Sequence, residues 1–322
     1  MFNSEYILTL LKIPRFGRKT VASILSSTEF TPHNLIELRD IIGDACQNNK
    51  RIKLPELSFI ESANQNALEI LDKTQSEGIE IISYGSDKYP RKLLNITDPP
   101  VILFLKGDST ILDQHKNIAI IGTREPTEYG EKCGEAISKQ FAENGFVVTS
   151  GLAKGCDEAG HRGCVEVSGR TIAILGHGLH MVYPAKNKNL ATKIIETGGC
   201  LLSEYEYGVN PRPNYFIERD RLQSGLSLGV FVIETGVKGG TMHAVNSCIT
   251  DNKPLGCLKH PEKYLNQPKI QGNTMLIDEK GAFPINEKSD VNEFIEILLK
   301  KQDSVKPQGD TKRTYVQLQL FD

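Results

Sequence analysis

The feature that most constrains the fold is an alternation of short apolar runs with longer helix-like segments from residue 117 onward. The apolar runs are Ile118–Ile121, Phe146–Thr149, Thr171–Leu175, Cys200–Leu202, Val230–Ile233 and Pro254–Leu258. The helix-like segments between them are Glu131–Asn144, Asp157–Ser168, Leu190–Thr197, Glu218–Ser227 and Thr241–Asp251. Nearly continuous apolar strands spaced by helices predict a mostly parallel sheet that is covered on both faces. We therefore expect a doubly wound, Rossmann-like α/β domain.

Residues 4–76 have a different pattern, which is helical throughout. Two apolar helical segments flank the break Pro14-Arg15-Phe16-Gly17. A helix, a tight turn and a second helix resemble a helix-hairpin-helix, whose turn can hold a DNA phosphate. That motif usually has two glycines in its turn, and here only Gly17 is present. A small helical packing domain is the alternative, and we favour it.

The other segments complete the predicted domain organisation. We expect a helical N-terminal domain over residues 1–76, a bridging segment over 77–115 and the Rossmann-like domain over 116–300. Residues 301–315 are rich in polar residues with little to bury, which is typical of a flexible linker. Residues 316–322 are abruptly apolar and form a separate short motif.

Composition excludes several classes of protein. The formal net charge of −2 excludes a globally basic nucleic-acid binder, so any such contact needs a local basic patch. No apolar run approaches the roughly 20 residues that cross a bilayer, and the N-terminus lacks the features of a secretory signal. The seven cysteines form no C-x-x-C pair. We expect reduced thiols in a cytoplasmic protein that has no membrane contact, metal or cofactor.

One group of cysteine and histidine residues raises the question of a metal site. Cys156, His161 and Cys164 lie close together in the sequence. Their spacing matches no common ligand pattern, so we favour helix and loop packing over metal binding.

Four glycine-bearing loops follow four of the predicted strands. They contain Gly122-Thr123-Arg124, Ser150-Gly151-Leu152-Ala153-Lys154-Gly155, Gly176-His177-Gly178 and Lys238-Gly239-Gly240-Thr241. In a parallel sheet the C-terminal ends of the strands share one edge, where open α/β sheets bind ligands. Glycine allows close approach of the backbone, and the helix that follows points free N–H groups at the ligand. The spacing predicts one concave site that favours phosphate, whereas glycines used only for tight turns are the alternative for each single loop.

Basic and aromatic residues cluster around the same predicted edge. The candidate phosphate-binding cations are Arg124, Lys154, Arg212, Arg219, Arg221 and Lys238. Surface ion pairs are the alternative, in particular pairing of Arg219 or Arg221 with Glu218 or Asp220. Phe216 precedes these arginines, and an aromatic side chain beside cations can stack a base of single-stranded nucleic acid, at about 1–3 kcal/mol per base. An ordinary core position for Phe216 is equally compatible with the sequence.

We do not expect an enzyme. The sequence contains no P-loop and no H-E-x-x-H motif, and we find no convincing carboxylate pair. Lys238-Gly239-Gly240-Thr241 invites comparison with the phosphoribohydrolases and their P-G-G-x-G-T-x-x-E motif. Ala244 stands where their glutamate would be, which removes the acid/base group. Glu204 and Glu234 remain nearby candidates, so cleavage of a small nucleotide stays an alternative.

Several ordered motifs together resemble one family. Gly122–Gly130 is similar to G-[ST]-R-x-x-[ST]-x-Y-G, and Ser150–Asp157 is similar to S-G-L-A-x-G-[IV]-D. Thr171–Leu179, continued by Tyr183-Pro184, is similar to T-I-A-V-L-G-x-G-L…Y-P. With these motifs, spread in order over about 200 residues, the chain resembles the DNA-processing protein A (DprA/Smf) family.

The resemblance implies a function. It implies a Rossmann-like domain that binds single-stranded DNA without hydrolysis, forms a homodimer and loads the RecA recombinase in natural transformation or DNA recombination. By motif match, Gly122, Thr123 and Arg124 would hold a phosphate. Phe216, with Arg219 and Arg221, would line the groove that stacks bases.

The sequence departs from the family pattern at the proposed site. The family's F-x-x-R-N-R becomes Phe216–Arg221 with Asp220 in place of the asparagine, and its S-G-[ST]-x-x-T-A becomes Lys238–Ala244. These changes keep a second hypothesis open, a sensor or enzyme for a small nucleotide in signalling or phage defence. A third is a structural adaptor that acts through the C-terminal motif.

That motif resembles a known binding peptide. Gln317, Leu318, Leu320 and Phe321 match the sliding-clamp binding pattern Q-L-x-L-F. A flexible linker would present the apolar side chains to a pocket, with Gln317 as a polar anchor. A tail that packs back on its own domain is the alternative.

Overall fold

The computed structural model describes residues 2–28, 30–48 and 52–304, which form one large sheet with helices on both faces and a cluster of N-terminal helices. The helices are α1 Ser4–Lys12, α2 Arg18–Ser27, α3 Leu35–Asn48, α4 Leu57–Ser76, α5 Glu128–Glu143, α6 Cys156–Glu166, α7 Lys188–Glu196, α8 Pro213–Leu226, α9 Met242–Thr250, α10 Gln271–Lys280 and α11 Lys288–Ser304. The strands are β1 Glu80–Ser83, β2 Ile102–Gly107, β3 Asn117–Ile121, β4 Val147–Ser150, β5 Thr171–Leu175, β6 Cys200–Ser203, β7 Gly229–Val232, β8 Leu255–Leu258 and β9 Phe283–Ile285. The predicted Rossmann-like α/β class with N-terminal helices is confirmed.

The topology of the sheet defines a ligand-binding crevice. The strand order is β1-β2-β6-β5-β4-β3-β7-β8-β9, and neighbouring strands from β6 to β9 in this order are parallel. The chain starts the parallel part at β3, adds β4, β5 and β6 on one side, and then returns to add β7, β8 and β9 on the other. The carboxyl ends of the neighbouring strands β3 and β7 are therefore the topological switch point, where open α/β sheets bind ligands.

The segment 77–115, which we expected to bridge two domains, contributes two strands to this same sheet. β2 pairs antiparallel with both β1 and β6, with Phe104 opposite Ser203. The sequence indicates short strands here but not their partner, because an antiparallel edge strand does not follow the strand–helix repeat that identified the others.

Alternation along the central strands buries both faces of the sheet. In β3, Ile118 and Ile120 point to the face covered by α5, where they join Phe141 in one core cluster. Ala119 and Ile121 point to the opposite face, which is covered by α9. Side chains of a strand alternate between its two faces, so a run of consecutive apolar residues is what a sheet with two covered faces requires.

The turn between α1 and α2 faces the main domain. Lys12 pairs with Glu206, and Arg18 Nε donates to Asp98 Oδ1 at 3.0 Å. Arg18 Nη1 also lies 3.5 Å from a carboxylate oxygen of Glu204. These cations are paired with carboxylates of the sheet domain, so the contacts favour the packing interpretation of this turn over phosphate binding.

Cys156, His161 and Cys164 lie in or at the start of α6 and are buried. His161 Nδ1 lies 2.8 Å from Thr171 Oγ1, and the Cys164 thiol donates to a backbone carbonyl. Burial lowers the pKa of His161 to about 3. Within residues 2–28, 30–48 and 52–304 no group of three His, Cys, Asp or Glu side chains is placed to hold a metal ion.

None of the helices in the described ranges has the length and apolar character needed to cross a bilayer.

Candidate functional site

An open cleft of about 420 Å³ lies at the switch point between β3 and β7. Of the residues predicted from the sequence, it is lined by Gly122, Thr123, Arg124, Phe216, Arg219, Gly239, Gly240 and Thr241. Sequence reasoning did not assign a role in the site to other lining residues, among them Asp157, Asp220, Gln223, Thr235 and Gly236. The cleft therefore joins the turn after β3, the start of α6, residues 213–223 of α8 and the loop between β7 and α9.

The turn after β3 is held by a buried carboxylate. The Glu234 carboxylate accepts hydrogen bonds from the Thr127 N–H at 2.7 Å and the Thr127 hydroxyl at 2.6 Å. His260 Nε2 lies 2.9 Å from the same carboxylate, and the Thr123 N–H donates to the Glu234 carbonyl at 2.7 Å. A Cβ on Gly122 would come within 2.8 Å of that carbonyl, so the close approach needs glycine. The turn that carries Arg124 is thereby fixed against β7.

Phe216 and Arg124 meet at the mouth of the cleft. The Arg124 guanidinium lies over the Phe216 ring, 5.2 Å from its centre, which is a cation–π geometry. The ring centre of Tyr183 is 5.9 Å from that of Phe216. A Cβ on Gly176 would stand 2.9 Å from a Phe216 ring carbon, so the glycine after β5 makes room for the ring.

Phe216 lies in a helix that begins earlier than the sequence indicated. We expected a helix from Glu218, whereas α8 begins at Pro213 with Arg212 as its N-cap residue. Proline is favoured at the first position of a helix because its missing N–H has no partner there in any case. Pro213 thus starts the helix, and its place on α8 gives Phe216 a fixed orientation.

Arg219 forms the floor of the cleft. Its side chain is 4% exposed, and its guanidinium lies 4.0 Å from an Asp157 oxygen and 3.5 Å from an Asp220 oxygen. With its amide oxygen turned toward them, Gln223 accepts hydrogen bonds from the Gly151 N–H and from Arg219. A Cβ on Gly151 would overlap the guanidinium, so the glycine after β4 leaves the space that Arg219 occupies.

Both carboxylates of the floor are held in an unfavourable environment for charge. Burial raises the pKa of Asp220 to about 7, Asp157 adds to the rise, and Arg219 and Arg124 oppose it. Burial also raises the pKa of Asp157, against the pull of Arg219 and of hydrogen bonds from the backbone. The cleft therefore has a cationic mouth at Arg124 and a floor on which one guanidinium faces two carboxyl groups.

Several predicted site residues do not line the cleft. They are Ser150, Gly151, Lys154, Arg212, Arg221 and Lys238. The buried Ser150 hydroxyl donates to the Ile120 carbonyl at 2.6 Å. Arg221 donates to Glu204 and to the Asp98 carbonyl, both at 2.7 Å, and connects α8 to the segment before β2. Arg212 lies beside the cleft, with its guanidinium 5.6 Å from the centre of the Tyr215 ring.

The side-chain amide of Asn273 fixes the loop after β7. Asn273 on α10 accepts a hydrogen bond from the Thr235 N–H at 2.8 Å. Its own amide nitrogen donates to the carbonyls of Ile233 and Leu258, at 2.7 and 3.0 Å. These bonds hold the ends of β7 and β8 together, while Gly240 faces open space in the cleft.

The carboxylates considered for nucleotide cleavage do not face the cleft. Glu234 is buried, and its carboxylate contacts Thr127 and His260. Glu204 is paired with Arg18 and Arg221. The run Gly225–Gly229 has the letters of the G-x-S-x-G nucleophile motif. It lies between a helix and a strand, and the buried Ser227 donates to the Gln223 carbonyl at 2.8 Å. A nucleophile elbow runs from strand to helix and exposes its serine, so this run is not one.

Comparison with known proteins gives consistent matches. The family model described as DNA recombination-mediator protein A matches residues 80–296. Protein Smf of Escherichia coli (strain K12) is 32% identical over 243 residues, which are 76% of this chain and 63% of that protein. DNA processing protein DprA of Bacillus subtilis (strain 168) is 38% identical over 173 residues, 54% of this chain and 58% of that protein. The chain thus spans less than two thirds of the length of these two curated relatives.

Solved structures extend the likeness to the fold. DNA processing protein A from Streptococcus pneumoniae matches with a TM-score of 0.73 and 27% identity, covering 91% of this chain and 98% of that one. DNA processing protein A from Helicobacter pylori matches with a TM-score of 0.60 and 29% identity, covering 69% of this chain and 96% of that one. The Helicobacter pylori structure concerns that protein's single-stranded DNA binding mode.

Proposed function

Because the chain belongs to the DNA recombination-mediator protein A family, we propose that it binds single-stranded DNA and does not hydrolyse it. The proposed binding site is the cleft at the carboxyl ends of β3 and β7. The observation that carries the proposal is the contact of Arg124 with Phe216, which sets a cation and a stacking surface side by side at the mouth of the cleft. Aromatic rings that stack bases, next to cations that neutralise phosphates, are the means by which proteins hold single strands.

The charges in the cleft suggest how a strand lies there. Arg219 is already shared between two carboxyl groups, whereas Arg124 projects from the turn after β3. A phosphate is therefore favoured at the mouth, beside Gly122, Thr123 and Arg124, and a base is favoured against Phe216. Arg212 and Lys238, which flank the cleft, would contact neighbouring phosphates.

We further propose that the bound strand is protected and handed to the RecA recombinase by a homodimer of this chain in the cytoplasm. This part rests on family membership alone. It is tested by assembling recombinase filaments on single-stranded DNA already coated by a single-strand binding protein, with and without this chain. Faster filament growth with the chain supports the proposal, and an unchanged rate contradicts it.

The experiment that tests the site is fluorescence anisotropy with labelled oligo-dT. We expect salt-sensitive binding, a preference for single over double strands, and a loss of about tenfold or more in Arg124→Ala. Arg91→Ala is the matched control, because Arg91 is exposed and does not line the cleft. Equal binding by Arg124→Ala and Arg91→Ala would count against this cleft.

A small nucleotide is the second candidate ligand, because a cleft of about 420 Å³ is within the usual size range for small-molecule sites. Thermal unfolding in the presence of nucleoside monophosphates or of oligo-dT separates the two. A ligand that binds only the folded protein raises its unfolding temperature. Stabilisation by oligo-dT alone supports DNA binding, and stabilisation by mononucleotides alone supports the sensor.

A further inference from the structure

We propose that Asp220 makes the cleft selective for guanine among the bases of a bound single strand, an inference that rests on the proposed function. Neither the family match nor the relatives assign a role to this carboxyl group. It belongs to the lining of the cleft and lies between Arg219 and Arg221 in the sequence.

Asp220 is placed to contact the edge of a stacked base. It lies four residues after Phe216 on α8, so the two side chains share one face of the helix, and both line the cleft. A base stacked on the Phe216 ring at the mouth would extend its edge toward the floor. The side chain that the floor presents one helical turn further along is Asp220.

The carboxylate has acceptor capacity to spare. Its nearest basic partner is Arg219, whose Nε lies 3.5 Å away, and the side chain keeps 17% exposure. Among the residues that the structure describes, no N–H or O–H donates a hydrogen bond to it. The second carboxyl group, on Asp157, competes for the same guanidinium at 4.0 Å. The carboxyl groups of the floor, when ionised, repel a phosphate. A ligand that binds there must therefore supply hydrogen-bond donors.

Guanine is the base that meets this requirement. A carboxylate only accepts hydrogen bonds, and guanine presents N1–H and the N2 amino group side by side, which can pair with its two oxygens. Adenine and cytosine present one amino group next to a ring nitrogen that is itself an acceptor and faces the second oxygen. Thymine presents a single N3–H between two carbonyl groups. The ionised floor therefore accepts guanine and disfavours the other three bases.

The test is competition against labelled oligo-dT at about pH 8.5. This pH is above the Asp220 pKa of about 7, so the carboxyl group is ionised. The charged and titratable groups that face it are Arg219 on its own helix, Asp157 from α6 and Arg124 from the turn after β3. The competitors are an all-thymine strand of about 12 nucleotides and four strands of the same length in which one central thymine is changed to guanine, adenine, cytosine or inosine. Inosine keeps N1–H but lacks the N2 amino group.

We expect the guanine strand to compete about tenfold better than the thymine strand, and the inosine strand to fall between them. Asp220→Asn should reduce the guanine preference to less than about threefold while still binding oligo-dT. Equal competition by all strands, or a guanine preference that survives in Asp220→Asn, overturns the inference and leaves DNA binding intact. Absence of binding to every strand overturns the inference together with the proposed function. Should Asp220→Asn not fold, the inosine comparison on the unmodified protein decides.

Discussion

The guanidinium of Arg124 lies 5.2 Å from the centre of the Phe216 ring, although one residue follows β3 and the other belongs to α8. The two elements are brought together because α8, which connects β6 to β7, packs across β5, β4 and β3. A phosphate-binding group and a base-stacking group thereby share one mouth. The phosphate and the base of one nucleotide are therefore expected to be contacted at the same place in the cleft.

Replacing Phe216 tests base stacking separately from charge. Phe216→Ala should weaken oligo-dT binding by about 1–3 kcal/mol, because the stacking surface is lost. Phe216→Tyr is the matched control, since it keeps an aromatic face. Anisotropy titrations at several salt concentrations should give the same salt dependence for all three proteins, because no phosphate contact is removed. Unchanged affinity in Phe216→Ala would mean that this ring is only a packing residue.

Gly151, which packs against the floor of the cleft, and Gly240, which lines it, are expected to respond differently to an added methyl group. Gly151→Ala places a Cβ in the space of the Arg219 guanidinium, so it should displace Arg219 and lower both stability and DNA binding. Gly240→Ala meets no atom within 4 Å and should have little effect on stability. Thermal unfolding and anisotropy measure both effects. Equal stability of the two variants would contradict the described floor.

The raised pKa of Asp220 predicts how stability depends on pH. Burial raises this pKa from 3.8 to about 7, so the protonated form favours the folded state. The contribution is complete below pH 3.8 and is lost as the pH rises through about 7. Between about pH 5 and pH 8 the unmodified protein should lose on the order of a few kcal/mol more unfolding free energy than Asp220→Asn.

Urea denaturation at a series of pH values measures this difference. The exposed Asp87, changed to asparagine, is the control, and its curve should run parallel to that of the unmodified protein. If Asp220→Asn also runs parallel, Asp220 is ionised in the folded protein across the whole range, and the expected effect is absent.

The C-terminal motif gives an independent prediction. Gln317, Leu318, Leu320 and Phe321 lie outside the described residues, and we propose that they bind the sliding clamp. Deleting residues 316–322 should abolish binding to purified clamp in a pull-down and leave oligo-dT binding unchanged, because the cleft is formed by residues 121–244. Replacing Gln317 alone by alanine should weaken clamp binding. If the deletion variant binds the clamp as strongly as the unmodified protein, this proposal is wrong.

The sequence predicted the strand–helix repeat and the glycine loops because these depend on local periodicity and on conformational freedom at strand ends. Gly122 and Arg124 were found in this way, whereas Phe216 was found from its position beside basic residues, and all three line one cleft. The pairing of Arg221 with Glu204 and Asp98 could not be predicted, because Asp98 belongs to a segment whose place beside α8 is fixed only in the folded protein.

The same limit applies to the supporting carboxylate. Glu234 was considered only as a possible acid, and its bonds to Thr127 and His260 join three parts of the chain that are distant in sequence. A buried carboxylate that anchors a turn has no local pattern. Its only sequence signal is a charged residue directly after an apolar strand, which is shared by many catalytic groups.

The antiparallel pairing of β2 with β6 determines which truncations of the chain leave the sheet edge covered. A recombinant piece starting at residue 116 would remove β1 and β2 and leave the outer edge of β6 with unpaired backbone groups, a template for edge-to-edge aggregation. A piece starting just before β1 would keep that edge covered by the chain's own strands. Such a piece would still uncover Ile102 and Phe104, which share a buried core cluster with Leu8 and Leu10 of α1. Expression trials should therefore keep the N-terminal helices together with β1 and β2.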